Sequence, residues 1–332
     1  MRYIIYGAGA VGGVIGARLF EHEREVVLIA RGAHFDAIRE KGLVFETASG
    51  SETLPIPVVR HPSELQFRAD DVAIMTTKTQ HSEGALDDLR AAAGADVPVV
   101  CAENGVENER MALRRFRNVY AMLVFLPATH LVPGVVHAHA MPVSGVLDAG
   151  RYPTGVDDVI TTVTSDLDAS GFSARPVSTP MRLKYAKLLS NLGNAIQATC
   201  DGDTRALHAQ VRDEAIACYR AAGIDWASDE ETAERRKSMS RPATVNGQMR
   251  GGGSSWQSLA RRTGSVESDY LNGEIALLGR LHGVPTQANG ALQLIAGRMA
   301  REGMAPGSMS VAEIEREIAA QSVEAPTQRQ SL

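Results

Sequence analysis

The chain has 332 residues, 44% of them hydrophobic, which suffices for more than one buried core and makes two domains the natural division. Its 34 basic and 39 acidic residues leave a formal net charge of −5, with neither sign gathered into a long run, which argues against nucleic-acid or anionic-membrane partners. No uncharged apolar stretch reaches the ~18 residues that span a bilayer and the N-terminus enters a strand at once, so a cytoplasmic protein is expected.

In chain order, residues 2–6 form a short apolar run ending in glycines, and residues 26–30 form a second after a helical stretch, a βαβ unit. Between the two lies Gly7-Ala8-Gly9-Ala10-Val11-Gly12. A Gly-x-Gly-x-x-Gly string alone is weak evidence, but one that follows a strand and opens a helix is the context a dinucleotide-binding loop requires. Gly7 permits the tight turn, Gly9 lets the backbone approach a pyrophosphate, and Gly12 lets helix and strand pack closely. The helix N-terminus then offers its amides to the anion. The second strand ends Ala30-Arg31-Gly32, with no carboxylate to accept from a ribose 2′-hydroxyl. The planar fork of Arg31 suits a 2′-phosphate, so NADPH is expected over NADH.

Further strands are expected at Val72 to Thr76 and Pro98 to Ala102, separated by a helix over Ser82 to Ala93, which continues a doubly wound, mostly parallel sheet. Lys78 and Asn104 each follow one of these strands, at the carboxyl edge where such sheets bind ligands. Either could instead serve a turn, Asn104 especially, because Gly105 follows it. Val119 to Leu126 and Val143 to Val146 are expected to finish the sheet. Cys101, Cys200 and Cys218 lack metal-ligand or disulfide spacing and read as buried thiols. His130, His137 and His139 lack a carboxylate pattern, and no metal is expected.

From about Pro180 the periodicity becomes helical, and Leu271, Ile275 and Leu278 mark an apolar face within Val266 to His282. The expected division is a Rossmann domain over 1–178, a mostly α-helical domain over 179–320 and a frayed tail over 321–332. Lys187, Asn191 and Asn194 fall at i, i+4 and i+7, one helical face beside an apolar stripe, either a solvated surface or the wall of a polar cleft. Ser254 and Ser255 could cap the next helix or present donors to a carboxylate, and Glu267 could merely favour a helix dipole.

Taken together, the glycine loop, Arg31, Thr77-Lys78, Asn104-Gly105, Lys187 to Asn191, Ser254-Ser255 and Glu267 to Gly273 resemble the ketopantoate reductase family in order and spacing. The resemblance implies NADPH and a small 2-oxo acid held in a cleft between the two domains, with a homodimer among the expected assemblies. It makes Lys187 the general acid, Asn104 a contact to both cofactor and substrate, and Asn191, Asn194 and Ser255 substrate contacts. Gly7 to Gly12, Arg31, Lys78 and Glu267 would hold the cofactor. An opine- or imine-type reductase and a non-enzymatic NADPH-responsive binding protein are the alternatives.

Three positions depart from the family pattern. Its second asparagine comes eight residues after the lysine, whereas Asn194 comes at seven and precedes Ala195; a further substrate-binding asparagine is Gly252 here, and a third is replaced near Asp201. Loss of carboxamides for a distal hydroxyl leaves the substrate's side chain open.

Overall fold

The computed structural model describes residues 1–237, 240–247 and 249–323. The chain divides into two compact units, Met1–Lys187 with Trp226–Gly251, and Leu188–Asp225 with the chain from Gly252 onward.

The first unit is built on a seven-stranded sheet. Its strands run, edge to edge, Ala149–Arg151, Val119–Met122, Val99–Cys101, Asp71–Met75, Arg2–Tyr6, Glu25–Ile29 and Val58–Val59. All neighbours are parallel except Ala149–Arg151, which closes the edge antiparallel to Val119–Met122. Because side chains alternate across a strand, Tyr3 and Ile5 enter one core with Ile15, Leu19 and Leu28, while Ile4 and Tyr6 enter another with Met75, Leu86 and Val99. A sheet buried on both faces explains why these strands read as continuous apolar runs. Strand order reverses direction at Arg2–Tyr6, which pairs with Glu25–Ile29 on one side and Asp71–Met75 on the other, and ligands bind at such a switch point.

Two features of this unit differ from the sequence expectation. Val143 to Val146 forms no strand: Ser144 donates to the Gly171 carbonyl, the Gly145 carbonyl accepts from Ser173, and only Val146 makes isolated bridges, to Phe125 and Ser173, so the pairing is divided between two partners. The edge is supplied by Ala149–Arg151 instead. A separate four-stranded sheet, in the order Gly50–Leu54, Leu43–Thr47, Val135–Ala138 and Ala128–Thr129, packs against the helix Ala10–Glu21. There Gly13 matters, since a Cβ at that position would stand 2.6 Å from Val136.

Trp226–Gly251 joins the first unit through specific contacts. Arg235 donates to both oxygens of the buried Asp148 at 2.7 and 2.6 Å, Arg182 donates to the Trp226 carbonyl, and Ser240–Pro242 pairs antiparallel with Ala140–Pro142.

The second unit is helical: Gly193–Thr199, Arg205–Ala222, Ser254–Ala260, Asn272–His282, Gln287–Glu302 and Val311–Val323. Leu192, Val211, Ile275, Leu292, Ile295 and Met299 are fully buried. Glu214 accepts from the Ala288 and Asn289 amides at 2.9 and 3.0 Å, satisfying the N-terminus of Gln287–Glu302 from a neighbouring helix. Gln321 to Val323, expected in the tail, complete the last helix; the rest of the tail lies outside the described residues. Among the described residues no helix is long and apolar enough to cross a membrane, and no group of His, Cys, Asp or Glu could hold a metal ion.

Candidate active site

The glycine loop leaves the first strand at the switch point. Gly7 has φ +107°, a conformation that disfavours any side chain, and its Cβ would also meet the Thr76–Thr77 backbone at 3.0 Å. A Cβ on Gly12 would collide with Thr76 Oγ1 and the Gly7 carbonyl, whereas one on Gly9 would meet nothing within 4 Å. Gly9 therefore faces open space at the N-terminus of Ala10–Glu21, a helix without a side-chain cap or a first-turn carboxylate. That is an anion cradle with its amides available, and it fits a dinucleotide pyrophosphate. The loop is braced by two residues that sequence reasoning missed. Thr76 Oγ1 donates to the Gly7 carbonyl at 2.8 Å. His34 accepts from the Gly134 amide at Nδ1, so Nε2 carries the proton and donates to the Ala8 carbonyl at 2.6 Å.

Arg31 is exposed immediately after Glu25–Ile29 and precedes the helix Gly32–Lys41, one strand over from the cradle. Lys78, half-buried, is the residue before the helix Thr79–Ala93. Asn104 follows Val99–Cys101; its carbonyl accepts from Asn108 Nδ2 at 3.3 Å, and Gly105 turns the chain at φ +82°. The sheet thus brings the glycine loop, Arg31, Lys78 and Asn104 to the carboxyl ends of adjacent strands.

Behind Asn104 lies a buried charged cluster with no signature in sequence spacing. Lys184, on the helix Pro180–Asn191, donates to Glu109 on Asn108–Leu113, and both side chains are almost wholly inaccessible. Burial opposes the Lys184 charge, but the carboxylate of Glu109 outweighs it and raises the ammonium above its ordinary range. Glu103, next to Asn104, accepts from Ser82 Oγ at 3.3 Å, while its Oε2 is buried with no hydrogen-bond partner among the described residues. Burial pushes this carboxyl up from 4.5 to about 8, so at neutral pH it is a neutral acid. A carboxyl raised in the folded state stabilises the fold fully below pH 4.5 and loses that contribution as pH rises through about 8. Glu103→Gln, which stays neutral, is expected to flatten the decline in melting temperature between pH 4.5 and about 8, where only the unfolded carboxyl has ionised. Parallel wild-type and variant melting curves would remove the assignment.

Lys187, one turn beyond Lys184, is half-buried with its Nζ 4.2 Å from the centre of the Phe125 ring. Burial, reinforced by the guanidinium groups of Arg236 and Arg250, pushes its ammonium down to about 7. A lysine so tuned can donate and regain a proton at neutral pH.

The helix carrying Lys187 ends at Asn191, and Leu192 separates it from Gly193–Thr199. Lys187 and Asn191 share a helix; Asn194 lies on the next, after Leu192, whose backbone stays in the helical region and whose amide donates to the Leu188 carbonyl at 3.1 Å. Within the second unit, Asn194 Nδ2 donates to Ser254 Oγ at 3.4 Å and Gln197 Oε1 accepts from the Gly253 amide at 2.8 Å, fixing the entry to Ser254–Ala260. Ser255 and Asn191 are buried. Glu267, also buried, opens a short 3₁₀ turn, Glu267–Tyr270, that precedes Asn272–His282 instead of standing in that helix's first turn.

Comparison with known proteins bears on what these elements belong to. Residues 3–153 match the family model Ketopantoate reductase PanE/ApbA, and residues 176–299 match Ketopantoate reductase PanE/ApbA C terminal. The chain belongs to the ketopantoate reductase family. A 2-dehydropantoate 2-reductase of Pyrococcus horikoshii is 27% identical over 191 residues, 58% of this chain and 61% of that one, so the match spans about three fifths of that relative. The crystal structure of a PanE/ApbA family ketopantoate reductase from Ralstonia eutropha JMP134 superposes with a TM-score of 0.76 at 28% identity, covering 91% of this chain and 99% of that chain. D-mandelate dehydrogenase, solved with NADH and anilino(oxo)acetate, shares the fold, with a TM-score of 0.77 at 23% identity over 91% of this chain and 99% of that one.

Against the ketopantoate reductase pattern, the departure at Gly252 has a local cause. A Cβ there would stand 2.6 Å from the Trp256 ring, so the indole fills the space that an asparagine side chain would need.

Proposed function

We propose that this protein reduces a 2-oxo acid to the 2-hydroxy acid, with NADPH as donor and Lys187 as general acid. The observation that carries this reading is Lys187 itself, on the family's Lys-Leu-x-x-Asn motif, half-buried and with its ammonium brought near neutrality. Bound nicotinamide supplies a hydride to the ketone carbon. Lys187 Nζ donates the proton that the carbonyl oxygen gains, and its charge stabilises the negative charge developing there. The lysine recovers its proton from solvent, so each turnover consumes one NADPH and one proton.

The remaining residues are proposed to bind and orient. The amides beyond Gly9 hold the pyrophosphate, with Gly7, Ala8, Ala10, Val11 and Gly12 shaping that cradle, while Arg31 pairs with the 2′-phosphate and Lys78 and Glu267 contact the cofactor. Asn104 contacts both cofactor and substrate. Asn191, Asn194 and Ser255 contact the substrate, Ser255 at its carboxylate. Ketopantoate is the first compound to test, followed by other branched or bulkier oxo acids, each with and without an added amine. Reduction without amine supports the reading, and reduction only with amine identifies an imine-type reductase.

Arg31→Ala is expected to weaken NADPH by roughly 10-fold or more relative to NADH, since it removes a charge-assisted contact to the 2′-phosphate alone. Equal losses for both nucleotides, measured by fluorescence titration, would refute the phosphate assignment.

A further inference from the structure

We propose that the substrate carries a second anionic group, a distal carboxylate, held by Arg236 and Arg250. The inference rests on the oxo-acid reading above and deepens it, because it concerns the charges gathered around the proposed proton donor.

Two cations share the ring of Phe125: Lys187 Nζ at 4.2 Å from its centre and Arg236 Cζ at 4.9 Å. The ring's electron-rich faces draw both toward the same place. Arg250 adds a third charge, which together with burial holds Lys187 and His139 below their ordinary ranges. Neighbouring arginines of this unit are neutralised in the ordinary way, Arg235 by Asp148 and Arg182 by Glu231. Arg236 and Arg250 form no ion pair with a carboxylate among the described residues. Both residues are exposed, Arg236 more freely, while burial holds the Arg250 guanidinium below its ordinary range, a cost that an incoming anion would relieve.

Gathering like charges around a partly buried lysine disfavours its ammonium, and an anionic occupant among them offsets that cost. A monoanionic oxo acid brings one carboxylate, and the negative charge developing on its carbonyl oxygen is met by Lys187. That leaves guanidinium charge in excess, and a distal carboxylate balances it.

The test uses matched compounds that differ in the distal group. With the full-length protein and NADPH, kcat/KM is measured for 2-oxoglutarate and 2-oxopentanoate. In parallel, dissociation constants for the corresponding hydroxy acids are measured by calorimetry on the protein without turnover. The expected result is a preference for the diacid of roughly 10-fold or more in both readouts. In Arg236→Gln, Arg250→Gln and the double variant that ratio falls toward unity, while NADPH affinity certifies that each variant is folded. A wild-type preference for the monoacid overturns the proposal. A diacid preference that survives the double variant overturns the assignment to these arginines. Failure to reduce any oxo acid, despite NADPH binding, refutes the underlying oxidoreductase reading, a different outcome from reduction without distal discrimination.

Discussion

Lys187→Ala is expected to lower kcat for oxo-acid reduction by about 100-fold to 10,000-fold, the contribution general acid catalysis commonly makes, while leaving NADPH affinity within a few-fold of wild type. Pre-steady-state and steady-state rates at neutral pH would measure it, and near-normal turnover would refute the assignment. The ammonium titrating at about 7 adds a signed prediction. With Lys187 as the proposed proton donor, reduction would require its protonated form, so kcat/KM should fall as pH rises above about 7; oxidation of the hydroxy acid would require the neutral amine and should rise through the same range. Lys187→Arg is expected to keep the positive charge and still lose turnover, because a guanidinium does not release its proton near neutrality.

The second large effect concerns stability. Glu109→Ala should destabilise the fold by about 3–5 kcal/mol, because it strands the buried Lys184 ammonium without its carboxylate. The neighbouring Glu103 modifies this expectation. Its carboxyl is neutral at pH 7 and close enough to interact with Lys184, so loss of Glu109 should draw Glu103 into ionisation and recover part of the loss. The single variant should therefore be less unstable than Glu103→Gln/Glu109→Ala, and a double-mutant cycle by denaturant unfolding measures the difference. Additive losses would contradict the coupling. Replacing Lys184 and Glu109 together by Met and Leu should cost far less than removing Glu109 alone.

How much of this was legible in the sequence depends on range. The parallel sheet followed from apolar runs at residues 2–6 and 26–30, because strands buried on both faces carry no polar alternation. The glycine loop was legible because Gly7 and Gly12 answer to steric demands made within one βαβ unit. The hairpin Leu43–Thr47 and Gly50–Leu54 was not, since its pairing to Val135–Ala138 is set by tertiary contact. For the site, the family spacing pointed to Lys187, Asn191 and Ser255. It could not point to Lys184 with Glu109, Arg235 with Asp148, or the convergence of Lys187 and Arg236 on Phe125, because each links residues more than 60 positions apart. Val143 to Val146 shows the reverse error, a run with strand composition whose backbone bonds are divided between Phe125 and the stretch Gly171 to Ser173, leaving isolated bridges only.

The central claim is that this family member turns over a 2-oxo acid at the expense of NADPH through Lys187. The most direct measurement follows NADPH absorbance on mixing wild-type protein with a panel of 2-oxo acids, with the hydroxy-acid product quantified by mass spectrometry. The predicted result is one NADPH consumed per hydroxy acid formed, without added amine, and its near abolition in Lys187→Ala. Saturable NADPH binding with no oxo acid reduced, or reduction that proceeds undiminished in Lys187→Ala, would contradict it.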